Sequence, residues 1–99
     1  MTIAKNNEGE VATIKVDGRL DTMTAPEFQG ALAEYPGDVR RLVFDFSSLE
    51  YISSAGLRVL LSMYKLMSSV GGDIQVVHAN TAVKDVFEMT GFSDIFAVS

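Results

Sequence analysis

The feature that most constrains this fold is a change of hydrophobic period between Leu42 and Val70. Leu42–Phe46 (LVFDF) is a short run of apolar, β-branched and aromatic residues interrupted by one carboxylate, Asp45, and it reads as a buried strand. From Leu57 onward apolar residues recur at Leu60, Leu61, Tyr64 and Met67, the spacing of one face of a helix. A second stripe through Val59, Met63, Leu66 and Val70 leaves that helix apolar over much of its circumference. Burial between a sheet and a neighbouring helix accounts for this stripe. The alternative is that Met63 or Met67 stays exposed and seats a partner through the adaptability of the thioether.

Ser53 and Ser54 lie where the period changes. Either can cap the helix, because a side-chain oxygen at that position accepts a bond from an otherwise unpaired amide of the first turn. A hydroxyl there, beside Gly56 with no side chain to cover it, is also open to another protein. The same amides and the positive end of the helix dipole tolerate a phosphate.

The flanking segments alternate strand and helix. Thr2–Lys5 and Val11–Val16 read as a hairpin around the turn cluster Asn6-Asn7-Glu8-Gly9, with Asp17-Gly18 ending the second strand. A helix is expected from about Thr24 to Tyr35, with Pro26 tolerated in its first turn and Pro36-Gly37 stopping it. Gly71-Gly72 ends the central helix, and Ile74–His78 reads as another buried strand. Asn80 or Thr81 caps a third helix on which Val83, Val86, Phe87 and Thr90 share a side; Gly91 stops it, and Ile95–Val98 reads as an edge strand. This alternation predicts an α/β fold, a small mixed β-sheet layered against α-helices. At 99 residues, 1–99 form a single domain in this reading.

Chemistry is limited by what the chain lacks. Zero cysteines exclude disulfides and thiolate chemistry, and the one histidine, His78, reads as a strand-terminal residue rather than a base. The sequence contains neither G-x-S-x-G nor a phosphate-binding glycine loop, and its acidic residues are scattered singly. No enzyme, cofactor or metal is expected. A net charge of −5, with Arg40-Arg41 the only basic pair, argues against nucleic acid. No apolar run approaches the roughly 20 residues of a membrane span, so a cytoplasmic location is expected.

The string Asp45-Phe46-Ser47-Ser48-Leu49-Glu50-Tyr51-Ile52-Ser53-Ser54-Ala55-Gly56-Leu57 resembles the signature of STAS domains of the bacterial anti-sigma factor antagonist type, D-[LF]-S-x-[LV]-x-[FY]-[MI]-D-S-[ST]-G-L. Gly18-Arg19-Leu20-Asp21 with Thr24-Ala25 resembles the family's G-x-L-D-x-x-T-A. Gly71-Gly72-Asp73 and the segment Ala82–Phe92 resemble its later G-G-x and A-V-x-x-x-F-x-x-[ST]-G-[LF] motifs.

The resemblance implies a STAS fold and a partner-switching function. An unphosphorylated form binds an anti-sigma factor serine kinase and frees a sigma factor; phosphorylation ends that binding, and a phosphatase restores it. Carried over position by position, the phosphorylated residue is Ser54, with Ser53 the alternative. The implied partner-binding residues are Asp21, Thr24, Ser53, Ser54, Gly56 and Arg58. Asp21 has a second reading as a loop cap for the next helix. The chain departs from the pattern at Ser53, where the family has Asp, and at Ala55, where it has Ser or Thr. The missing carboxylate supports a rival reading: a STAS scaffold subunit of a transport or signalling complex with no phosphorylation cycle.

Overall fold

The computed structural model describes residues 1–99. Five strands form one sheet in the order β1 (Thr2–Glu8), β2 (Val11–Leu20), β3 (Arg41–Ile52), β4 (Asp73–Val77) and β5 (Ala97–Val98). The first pair is an antiparallel hairpin, and every later pair is parallel. Three helices make the parallel crossovers: α1 (Ala25–Ala31), α2 (Ser54–Ser69) and α3 (Thr81–Met89). Because spatial order equals chain order, successive crossovers of one hand place all three helices on the same face. Burial follows: Ala12, Ile14 and Val16 on β2 are buried, while Thr13 and Lys15 between them are not. The expected α/β fold, a small mixed sheet layered against helices, is therefore the observed one.

Twenty-five hydrophobic residues form one core cluster with no buried polar or charged residue among them. Phe28 of α1 meets Phe44 of β3 edge-on at 5.7 Å, and Phe96 gathers Tyr64, Phe87 and Phe92 within 6 Å of its ring. Met63 and Met67 are 5% and 0% exposed, so the idea that one of them seats a partner is corrected. Both fill the layer between α2 and its neighbours. Leu66 and Val70 are the members of the second stripe that reach solvent.

Several boundaries differ from expectation for local reasons. β2 continues through Gly18 to Leu20, because the glycine takes φ +107° and the ladder to β3 shifts register there. β3 likewise runs past its serines to Ile52. Its pairing with β2 persists, and the Asp45 carboxylate accepts the Ser47 amide at 3.0 Å where the register slips. α1 stops at Ala31 instead of Tyr35, since Leu32, Ala33 and Tyr35 donate to carbonyls three residues back and tighten the chain into turns. Tyr35 is still buried, its hydroxyl donating to Asn7 at 2.9 Å. Asn80, not Thr81, caps α3, accepting the Val83 amide at 2.8 Å. A short 3-10 turn at Phe92–Asp94 shortens the last strand to Ala97–Val98, and His78 stands just beyond β4, exposed.

Candidate functional site

The C-terminal ends of β2 and β3 finish side by side, and α2 begins there. Leu20 is in register with Ile52, and its carbonyl accepts the Ser53 amide at 2.8 Å. That bond turns the chain off the sheet into the helix. Gly56 makes the seating possible: a Cβ at this position would lie 2.7 Å from Leu20 Cγ and 3.1 Å from Ile52 Cγ1. Gly56 is buried, so it neither uncovers the serines nor offers a surface contact, which corrects its expected role. Its missing side chain brings α2 down onto two strands.

The two serines separate sharply. Ser53 occupies the N-cap position with extended backbone, yet its hydroxyl makes no cap bond. That oxygen is shut off from solvent and has no hydrogen-bond partner. The expectation that a serine side chain caps α2 is thus corrected. Anchored to Leu20 through its amide, Ser53 turns its hydroxyl inward instead of toward the first turn. Ser54 is the first helical residue and is exposed. The first helical bond runs from the Leu57 amide to the Ser53 carbonyl at 3.0 Å, so the amides of Ser54, Ala55 and Gly56 precede the ladder. No acidic side chain stands in this turn to complement the dipole. Arg58, exposed, follows Ser54 by four residues and shares its side of the helix.

The loop after β2 closes the other flank. The Asp21 carboxylate accepts the amides of Met23 at 3.0 Å and Thr24 at 3.1 Å. The Thr24 hydroxyl accepts the Asp21 amide at 2.9 Å and donates to the Arg19 carbonyl at 2.8 Å. Bonding from the Thr24 amide, with that of Met23, holds the Asp21 carboxyl below its usual range, and nearby Arg19 adds to the effect. Asp21 and Thr24 are therefore committed to the shape of their own loop. The Asp21 carboxylate orders the turn ahead of α1 and makes no cap bond to that helix, whose N-cap is Thr24.

Residues the motifs did not single out complete the surface. Arg19 and Tyr51 alternate with buried Leu20 and Ile52, which places them on the sheet face away from the helices. The guanidinium stacks over the phenol ring at 4.6 Å from its centroid, with the Asp21 carboxylate 4.0 Å away. Met23 projects from the loop, 86% exposed. Alternation about the Leu20–Ile52 pair was the available signal for Arg19 and Tyr51; for Met23 there was none.

Such a setting, a helix start at the carboxyl ends of parallel strands, is where open α/β sheets carry their functional groups. The structure contains no group of three or more His, Asp or Glu able to hold a metal ion, and no helix long and apolar enough to cross a membrane. The largest depression, about 300 Å³ and lined by Glu10, Arg40, Arg41 and Asp73, lies at the opposite end of the strands.

Fold and site define the class of small mixed sheets whose signature spans a strand end and the following helix, the STAS domains. The family profile described as "Mlab, STAS domain" matches residues 3–97. A protein of Bordetella bronchiseptica named "Putative anti-sigma factor antagonist BtrV" is 36% identical over 85 residues, which are 85% of this chain and 73% of that protein. The crystal structure of an anti-sigma factor antagonist from Mycobacterium paratuberculosis superposes with a TM-score of 0.88 at 26% identity, covering 98% of this chain and 83% of that one. SpoIIAA in its unphosphorylated form shares the fold, with a TM-score of 0.85 at 19% identity over 99% of this chain and 88% of that one. The chain belongs to the STAS domain family, in its anti-sigma factor antagonist branch. Members of that branch are regulators and not enzymes.

Proposed function

We propose that the chain, acting as one domain over residues 1–99, binds an anti-sigma factor serine kinase through the surface around Ser54 and so frees a sigma factor. Phosphorylation of Ser54 ends the interaction, and a phosphatase resets it. The observation that carries this reading is the exposure of Ser54 at the start of α2, against the burial of the neighbouring Ser53 hydroxyl. A kinase can reach the first and not the second without unfolding the turn. SpoIIAA, which has this fold, has been solved in unphosphorylated and phosphorylated forms.

A phosphate adds about −1.5 to −2 charges. On a docking face that charge must be desolvated or meet like charges, whereas at the start of a helix it is favourable for the fold. Binding therefore falls while the domain stays intact. About 3 kcal/mol of lost interaction corresponds to a more than hundredfold change in Kd.

Titration calorimetry of the purified cognate kinase with the wild-type chain, Ser54→Ala and Ser54→Asp tests the reading. Wild type and Ser54→Ala bind, and Ser54→Asp loses most of its affinity with an unchanged or raised Tm. Undiminished binding by Ser54→Asp contradicts it.

One observation favours a second reading. Ser53 stands where the family pattern has Asp and its hydroxyl engages nothing, which suits a STAS scaffold subunit of a transport or signalling complex that is never phosphorylated. Co-purification with transporter subunits, and no phosphate incorporation, would establish it.

A further inference from the structure

We infer that Met23 is the apolar anchor by which this protein seats its anti-sigma partner, presented on a loop locked by Asp21 and Thr24 and flanked by the stacked cation of Arg19. The inference rests on the antagonist reading above and concerns which residues hold the partner, not which one switches it.

Exposure by itself would mean little, since single apolar residues on surfaces are ordinary. Here exposure is combined with rigidity. The Met23 amide is held by the Asp21 carboxylate, the next amide by the same oxygen, and the Thr24 hydroxyl ties the loop to the Arg19 carbonyl at the end of β2. Four hydrogen bonds within Arg19–Thr24 thus fix a backbone whose most prominent side chain is 86% exposed and apolar. A loop ordered before contact loses little conformational freedom on binding, so more of the contact energy appears as affinity. Methionine, unbranched and polarizable, fills an imperfect socket well.

Position supports the same assignment. Met23 is three residues from Leu20, hence within about 11 Å of it along the chain, and the Leu20 carbonyl holds the Ser53 amide. Tyr51, 40% exposed, carries Arg19 on its ring beside this point. Methionine, tyrosine and arginine are residue types enriched in the centres of protein interfaces. On a chain of net charge −5, two arginines at this end of the sheet are exposed, Arg19 beside the loop carboxylate of Asp21 and Arg58 one turn along α2 from Ser54. The matching partner surface is an apolar socket rimmed by carboxylates. A protein with those features is the occupant; a phosphate of nucleic acid is disfavoured by the surrounding acidity.

The test uses the full unphosphorylated chain and the purified cognate anti-sigma serine kinase in titration calorimetry. Met23→Ala is expected to weaken binding by about tenfold or more, and Met23→Leu to stay within about threefold of wild type. Both should keep the wild-type Tm, because Met23 contributes nothing to the core. Arg19→Ala is expected to slow association and flatten its dependence on salt. Met23→Ala binding as tightly as wild type overturns the anchor. A wild-type chain that fails to bind the kinase overturns the antagonist reading itself, and the anchor with it.

Discussion

The two ends of the parallel strands are built from the same parts and finished differently. At the amino-terminal end, glycine again permits a close approach: a Cβ on Gly72 would lie 2.5 Å from the Arg40 carbonyl oxygen and 2.9 Å from Met67 Cε. There the polar groups satisfy one another. Arg41 forks onto Asp73 at 3.1 and 3.2 Å, Arg40 donates to the carbonyls of Gly37 and Val39, and the Glu10 carbonyl accepts the amides of both arginines. At the carboxyl-terminal end, a hydroxyl is orphaned at Ser53, another is exposed at Ser54, three amides are left over, and a methionine is held out in solvent. The first end is closed on itself, and the second leaves polar groups without partners inside the chain.

That contrast can be broken most forcefully at its two glycines. Gly72→Ala and Gly56→Ala should each lower stability by about 1–3 kcal/mol through overpacking. Gly72→Ala falls at the upper limit, because the nearest obstructing atom is the backbone carbonyl of Arg40 just ahead of β3 and not a side chain. Chemical denaturation measures both. Only Gly56→Ala should also weaken kinase binding at temperatures where the folded fraction is matched.

A smaller effect of opposite sign is expected at Ser53. Ser53→Asp, with its carboxylate turned out to the free amides of the first turn, supplies the cap that α2 lacks, and should raise stability by roughly 0.5–2 kcal/mol. For a chain of this size that is several degrees in Tm, read by calorimetry. A fall in Tm would mean that the orphaned hydroxyl is tolerated for its size alone.

Smaller still is the effect of cutting the closed end's ion pair. Arg41 and Asp73 are both about half exposed, so Arg41→Ala should cost roughly 0.2–1 kcal/mol. Kinase affinity should not move. A loss of binding would show that the closed end takes part in the interface.

The subtlest difference is in pH response. The folded-state pKa of Asp21 is depressed, so its loop bonds contribute stability above the unfolded value of 3.8 that is lost as pH falls through the lower folded value. The amide resonances of Met23 and Thr24 should hold their positions down to about pH 4 and shift only below it. On the closed end the hydrogen bond and charge of Asp73 raise the already high pKa of Arg41, so that cation does not titrate across this range.

Much of this was legible in the residues because period and punctuation agree. The switch from Leu42–Phe46 to the Leu57 stripe marks β3 and α2, and the signature around Ser54 marks their junction. What was not legible depended on partners distant in the chain. The length of β3 is decided by β2 alongside it, which sustains pairing through serines that by composition look like a loop. The burial of Met63 and Met67 depends on which helix lies opposite. Gly56 looks like an opening in the string and is a packing contact, since its neighbours Leu20 and Ile52 come from two strands. The division between the serines has the same origin: as helix caps the sequence offers Ser53 and Ser54 alike, and the Leu20 carbonyl sets them apart.

That division is tested most directly by locating the phosphate. The chain is incubated with its cognate kinase and ATP, digested, and read by tandem mass spectrometry alongside Ser53→Ala and Ser54→Ala. One phosphate on Ser54 is expected in wild type and in Ser53→Ala, with none in Ser54→Ala. Phosphate on Ser53, or persisting in Ser54→Ala, contradicts the account.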